Sequence, residues 1–156
     1  MIRRVDLEQV IDLRHAILRA GLPRETAIFP GDDGADARHY GAFDGARLIG
    51  CVTLHLSTWE NSPAWQLRGM VVIETHQRRG IGRRLIRFLE ADLSDSPVRQ
   101  LWCNARVPAA PFYEKLGWSV VSAPFEIPTA GPHVRMVKRL SPLSADCRNH
   151  ETNVKK

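Results

Sequence analysis

The sequence predicts a mixed α/β sheet in one layered domain. Three observations lead there. Two stretches carry apolar residues at helical spacing, shorter apolar or alternating runs lie between turn residues, and the two kinds interleave along the chain instead of separating into halves. The order reads β-α-β-β-β-α-β-α-β-β. A chain of 156 residues with 44% hydrophobic content is long and apolar enough for one domain with a real core.

The elements follow in order. Ile2 to Val5 is a short first strand. From Asp6 the pattern becomes helical through Leu7, Val10, Ile11, Leu13, Ala16, Ile17 and Leu18, with Asp6 as N-cap, Gln9 completing a capping box, and Gly21 and Pro23 as stop. Residues 23–38 are rich in Gly, Asp and Pro and read as a loop. His39 to Phe43 and Arg47 to Leu56 are the arms of a hairpin turning at Asp44-Gly45, and Ser57 to Pro63 is a second turn region. Trp65 to Val72 is a strand whose alternation puts Trp65, Leu67, Gly69 and Val71 on one face and Gln66, Arg68, Met70 and Val72 on the other. Gly80 to Leu93 is a helix with the stripe Ile81, Leu85, Phe88, Leu89 and Leu93. Arg99 to Cys103 is a strand, and Pro108 to Leu116 is a short helix stopped by Gly117. Trp118 to Ser122 and Val134 to Leu140 are strands joined by a Pro/Gly-rich segment. The domain spans residues 1–140, and residues 141–156 form a polar tail with no apolar period, expected to be mobile.

Charge and composition restrict the function. The net charge is +5 and the pI about 9.6, which asks for an anionic partner. No stretch reaches the roughly 20 apolar residues of a bilayer span, and the first residues lack the apolar run of a secretory signal, so no membrane partner is expected. Three widely spaced cysteines, Cys51, Cys103 and Cys147, give neither a disulfide framework nor a CxxC metal site. Cys51 and Cys103 lie in apolar runs and read as buried small hydrophobes in a reducing cytoplasm.

The chemistry concentrates in Gln77-Arg78-Arg79-Gly80-Ile81-Gly82, between a strand and a helix. Two glycines let a ligand approach the backbone, and the first amides of a helix lack internal partners while its dipole favours negative charge. A phosphate fits there. The Walker pattern is absent, and Leu85 stands where a dinucleotide fingerprint needs its third glycine.

The run from Met70 through Gly82 closely resembles motif A of the GNAT superfamily of N-acetyltransferases, with Gln77, Gly80 and Gly82 matching its Q/R-x-x-G-x-G/A signature. A second block, Asn104-Ala105-Arg106 through Phe112-Tyr113-Glu114-Lys115-Leu116-Gly117-Trp118, resembles motif B and begins 22 residues after Gly82. The resemblance implies a GNAT-like fold, a mixed and mostly antiparallel central sheet of about six to seven strands flanked by helices. It also implies acetyl-CoA as acyl donor, with no metal, and an amine as acceptor.

Residue by residue, the resemblance implies that the backbone of Met70, Val71 and Val72 pairs with the pantetheine arm, one amide there polarising the thioester carbonyl. Gln77, Arg78, Arg79, Gly80, Ile81 and Gly82 would hold the pyrophosphate; Arg83 or Arg84 either reaches phosphate or is a solvated helix face. Asn104 either contacts the cofactor arm or caps the turn before Pro108. Tyr113 either protonates the departing thiolate or packs against the pantetheine. The chain departs from the family pattern with Glu74 where proline is common and Arg78 where glycine is common. The strand before motif A carries Gln66 and Arg68 where many members place a glutamate base. Glu74, Glu60, Glu126, His133 or ordered water remain as base. Residues 125–136 resemble the last loop and strand of a bacterial small-molecule subgroup, which implies that Glu126 and His133 border the acceptor pocket; a structural histidine is the other reading of His133.

The expected activity is acetyl-CoA-dependent transfer to a primary amine of a small molecule by direct attack, without an acyl-enzyme. A protein N-terminal or lysine acetyltransferase and a non-catalytic acyl-CoA-binding regulator stay open, and a homodimer is compatible with the sequence. A nucleic-acid module using Arg78 to Arg87 is disfavoured because no helix-turn-helix partner or RNP-like aromatic pattern accompanies those residues.

Overall fold

The computed structural model describes residues 1–142, so the polar tail beyond Pro142, with Cys147, lies outside the described residues. Among the described residues eight strands form one sheet: β1 (Ile2–Val5), β2 (Arg38–Asp44), β3 (Arg47–Trp59), β4 (Ser62–Val72), β5 (Gln100–Arg106), β6 (Ser119–Val120), β7 (Phe125–Ile127) and β8 (Gly131–Arg139). Their order is β1-β2-β3-β4-β5-β8-β6, with β7 also on β8, and every pairing is antiparallel except β4 with β5. Helices α1 (Leu7–Leu18), α2 (Ile81–Asp92) and α3 (Ala110–Glu114) complete the layers. Among the described residues no helix is long and apolar enough to cross a membrane.

Strand β7 is one more than the expected six to seven. Pro128, Gly131 and Pro132 read as breakers, but they fall at the turn and at the start of β8: Ile127 pairs with Gly131, and Thr129 and Gly131 take positive φ (67° and 86°). The presumed connector is therefore a hairpin. The turn expected over Ser57 to Pro63 likewise shrinks to Glu60-Asn61, both at positive φ (49° and 65°), with β3 and β4 paired up to Trp59–Ser62. In the β2–β3 hairpin the turn sits one residue later than expected, at Gly45-Ala46.

The two faces of the sheet differ in chemistry. Tyr40, Val52, Leu54, Trp65 and Leu67 pack with Ile81, Leu85, Ile86 and Leu89 of α2. On the other face Cys51 and Val71 pack with Val10 of α1. The Asp6 amide donates to Gln9 Oε1 (3.0 Å) at the start of α1, as the capping pattern predicts. The inward face of α1, however, is Val10, Ile11 and Arg14; Ile17, counted in the apolar stripe, is 40% exposed. Position 14 lies three and four residues after Ile11 and Val10, so helical geometry turns it inward whatever its chemistry.

Arg14 is fully buried and neutralised. Its guanidinium grips Asp32 (2.6 and 3.3 Å) and donates to Thr53 Oγ1 (2.6 Å) and Ala27 O (3.0 Å). Asp32 accepts further from the Phe29 amide (2.6 Å) and from His55 Nε2 (2.8 Å), and its own carbonyl accepts from His39 Nε2 (2.9 Å). This network pins the loop before β2 onto β3. Burial alone would raise the Asp32 pKa, but the hydrogen bonds from His55, Arg14 and the Phe29 amide hold it well below the carboxylate range. Burial lowers the His39 pKa from its ordinary 6.5.

Strand β4 does not keep one alternation. Cys51 pairs with Val71 and Thr53 with Arg68, so Gly69 and Met70 together oppose the single residue between, a β-bulge. Beyond it the phase flips: Val71 packs under α1, while Met70 and Val72 join the α2 side with Leu67. The faces expected from strict alternation hold only up to Arg68. Gly69 has φ +64°, and a Cβ there would sit 2.9 Å from Arg14 Nε and 3.2 Å from Phe29. Gly69→Ala is therefore expected to cost about 2–4 kcal/mol, left-handed strain plus overpacking, read as a lowered urea midpoint. Both Asp32 and His39 have depressed folded pKa values, so the unfolded chain binds more protons and stability falls with pH. The urea midpoint should decline below about pH 6.5 through His39 and again below about pH 4 through Asp32; a flat profile from pH 7 to 3 would remove the network from the stability account.

Candidate active site

The site grows out of the bulge. Parallel pairing between β4 and β5 covers only Trp65–Leu101, Gln66–Trp102 and Leu67–Cys103. Past it β5 keeps pairing with β8, as far as Arg106–His133, while β4 turns away. Among the described residues, the β5-facing edge of residues 68–72 is thus left without a ladder partner. The opening is a cleft of about 230 Å³ between the parted strands. Met70 of β4, Asn104 and Arg106 of β5, Tyr113 of α3 and His133 of β8 line it, and Leu18, Arg19 and Phe29 close it from the α1 side.

At the end of β4 stands the predicted anion cradle. Gly80, at φ +77°, is the N-cap of α2, and the first hydrogen bond of the helix runs from the Arg84 amide to Gly80 O (3.1 Å). Among the described residues, the amides of Arg78 to Arg83 make no hydrogen bond. Six successive free donors at a helix start suit an anion with several oxygens, and pyrophosphate fits that description. The two glycines serve different ends. A Cβ at Gly80 would meet open space, so its φ is what asks for glycine; a Cβ at Gly82 would come within 3.1 Å of Phe112 and 3.4 Å of Met70 Cε. Through Met70 the cradle adjoins the cleft. Arg78 has φ +63°, a left-handed conformation costing a residue with a Cβ about 1–2 kcal/mol.

The fold separates the expected site residues. Met70, Asn104, Tyr113 and His133 meet in the cleft. Val71 turns its side chain under α1. The Gln77 side chain does not point to the cradle: its Nε2 donates to Val72 O (2.9 Å), tying the loop to the end of β4. Glu126 is exposed on β7 and outside the cleft lining, against its expected place beside His133. Of the expected bases, Glu60 sits in the β3–β4 turn and Glu74 on an exposed 3-10 turn, both outside the cleft lining, leaving His133.

Tyr113 and His133 are held by packing. The Tyr113 ring lies edge-on between Phe112 (5.0 Å) and Trp118 (5.4 Å), and its hydroxyl has no hydrogen-bond partner among the described residues. Burial pushes its pKa far up, with a smaller contribution from Cys103. His133 is 5% exposed; its Nδ1 lies 2.7 Å from Gly131 O, which only accepts, so Nδ1 carries the proton and neutral His133 keeps a lone pair on Nε2. Cys51 and Cys103 are each 1% exposed, and burial lifts both thiols to about 12. Sequence reasoning missed Arg14, Asp32, Phe29 and Arg19; only the helical position of Arg14 signalled any of them.

The chain is similar to known proteins over most of its length. The model of the Acetyltransferase (GNAT) family matches residues 7–118. The uncharacterized N-acetyltransferase YitI of Bacillus subtilis (strain 168) is 32% identical over 142 residues, covering 89% of this chain and 95% of the relative. An aminoglycoside 6'-N-acetyltransferase solved with coenzyme A superposes with a TM-score of 0.74 at 18% identity, over 92% of this chain and 99% of that one. Escherichia coli ElaA gives a TM-score of 0.74 at 19% identity, over 89% and 99%. By the family match and by the relative, this chain belongs to the GNAT family of acetyltransferases and is an N-acyltransferase of that family.

Proposed function

We propose that the chain moves the acetyl group of acetyl-CoA to a primary amine of a small molecule by direct attack, with no acyl-enzyme. The observation that carries this reading is the free edge of residues 68–72 of β4, which leads into the six unpaired amides of Arg78 to Arg83. A pantetheine arm has amides of its own and adds to such an edge as a short strand would. Its pyrophosphate then falls on the cradle, and the thioester reaches the cleft beside Tyr113 and His133. The aminoglycoside enzyme of the same fold supports the donor, since it was solved with coenzyme A, and is silent on this chain's acceptor.

The chemistry follows from the groups in the cleft. A neutral amine attacks the acetyl carbonyl, and the oxyanion that forms meets a backbone amide of residues 70–72; one such donor is worth about 3–4 kcal/mol of barrier. The C–S bond then breaks. The proton lost by nitrogen passes to the Nε2 lone pair of His133, directly or through one water, and CoA leaves as a thiolate met by the Tyr113 hydroxyl. Burial keeps Tyr113 protonated at working pH, so a donor is always ready. Full transfer from a phenol to a thiolate runs uphill, since a thiol ionises near 8.5, so Tyr113 gives up its proton only as the amine's proton is relayed in. In balance, the amine proton ends on the CoA sulfur. The high pKa of Cys51 and Cys103 speaks against a ping-pong route.

Calorimetric titration with acetyl-CoA tests the donor. Binding is expected, and none at a few hundred micromolar, an affinity weaker than about 5 kcal/mol, would overturn the reading. Gly82→Trp should abolish binding by driving an indole into Phe112 and Met70. Tyr113→Phe and His133→Gln should each lower kcat on the order of 10²-fold with acetyl-CoA affinity nearly unchanged. Full turnover in either variant would hand its role to water.

A further inference from the structure

The acceptor side of the cleft has a charge pattern that the transfer reaction itself does not require. Arg19, Arg68 and Arg106 line the cleft together with His133, and among the described residues no aspartate or glutamate does. Arg68 is half-buried on β4, one residue before the bulge, and also lines an adjoining groove of about 290 Å³ with Gln66, His55 and the exposed Asp36. Its guanidinium lies over the Phe29 ring (4.6 Å), which also carries Arg14 (4.3 Å) and Arg19 (5.5 Å). One aromatic ring thus gathers three guanidinium groups at the inner wall of the cleft.

Only one of the three has its charge met. Arg14 takes Asp32, and both oxygens of that carboxylate are already used, Oδ2 by Arg14 and the Phe29 amide, Oδ1 by His55 and Arg14. Nothing remains there for Arg68. Among the described residues Arg68 makes no hydrogen bond or ion pair, and the side chain of Arg19 donates only to Leu18 O (3.1 Å). Burial lowers the Arg68 pKa, the sign of a cation placed where its charge is poorly solvated. A half-buried fork with free donors, opening into a cavity, is matched by a planar or tetrahedral oxyanion. A polycationic amine would meet three arginines and no carboxylate.

We propose that the acceptor is a small amine that also carries an oxyanion, a carboxylate or a phosphate, bound by Arg68 with Arg19 and Arg106 at the rim of the same cleft. The amine end rests on the acetyl-transfer reading, while the anion end rests on the arginines of the cleft, with Arg68 at their centre, and is independent of that reading. The anion would orient the amine toward His133 and replace the carboxylate partner that the fold withholds from Arg68.

The test has two readouts. In the first, thiol release from acetyl-CoA is followed with a panel of amino acids, each beside its own neutral carboxamide, with 2-aminoethyl phosphate, and with spermidine. A carboxylate should raise kcat/KM over its carboxamide by about 10²-fold, mostly through KM. Amino acids against 2-aminoethyl phosphate distinguish carboxylate from phosphate, and α-amino acids against β-alanine and 4-aminobutyrate fix the spacing. In Arg68→Gln the carboxylate-to-carboxamide ratio should fall to near one, with partial return in Arg68→Lys. Equal rates for carboxylates and carboxamides with no advantage for 2-aminoethyl phosphate, faster rates with spermidine, or an anion preference unchanged in Arg68→Gln would overturn the proposal. In the second readout the same amino acids and carboxamides are titrated calorimetrically into wild type and Arg68→Gln, with melting temperatures confirming that both fold. This readout needs no turnover. Carboxylate binding lost in Arg68→Gln sustains the anion site even if acetyl transfer fails, and no difference between the two proteins refutes it even if transfer succeeds.

Discussion

At Gly69 the missing Cβ makes room for the Arg14 guanidinium, 2.9 Å from where that carbon would sit, and the positive φ of the same residue bends β4. The two effects belong to one constraint. Arg14 is under the strand because Asp32 holds it, and Asp32 is in place because Phe29, His39 and His55 hold the loop. Removing one member of such a buried pair leaves a bare charge, a loss of about 3–5 kcal/mol. The bend parts β4 from β5, and the parting is the cleft. A regular β4 would continue its ladder to β5 and leave no free edge for a ligand.

The cradle depends on the same strand from its other end. β4 ends at Val72, whose carbonyl is taken by Gln77, and this bond sets the loop that delivers Arg78 to Gly82 to the start of α2. Motif A is therefore one mechanical unit: bulge, free edge, tether and helix start. Its polar groups are main-chain amides, which explains how Arg78 is tolerated where the family often has glycine. The backbone donors remain, and the arginine bears a modest strain at φ +63°.

On the acceptor side the chain departs from its resemblance. The strand position that many members give to a carboxylate holds Gln66 and Arg68, and His133 is the expected base candidate that lines the cleft. The β7–β8 hairpin brings it there, carrying Ile127 and Ala130 into the same wall. Under the proposed reading, proton traffic and acceptor charge are set by different elements, β8 through His133 for the first and β4 through Arg68 for the second.

Much of this was legible in the residues. The order of helices and strands apart from β7, the glycine-opened helix start at Gly80 to Gly82 and the burial of Cys51 and Cys103 as apolar groups follow from periodicity, turn residues and the orphan amides of a helix start, all of which act over a few neighbouring residues. Other features needed the tertiary structure. The phase flip of β4 depends on a bulge opposite β3, and alternation in one strand cannot show it. Burial of Arg14 depends on an aspartate 18 residues later, and the unmet charge of Arg68 depends on that aspartate being saturated by others. The sequence by itself determined the family, the layered sheet and the glycine-opened start of α2, because these rest on local backbone chemistry. The cleft, its histidine and its arginines were decided only when distant strands paired, because a charge or a register has its meaning from what packs against it.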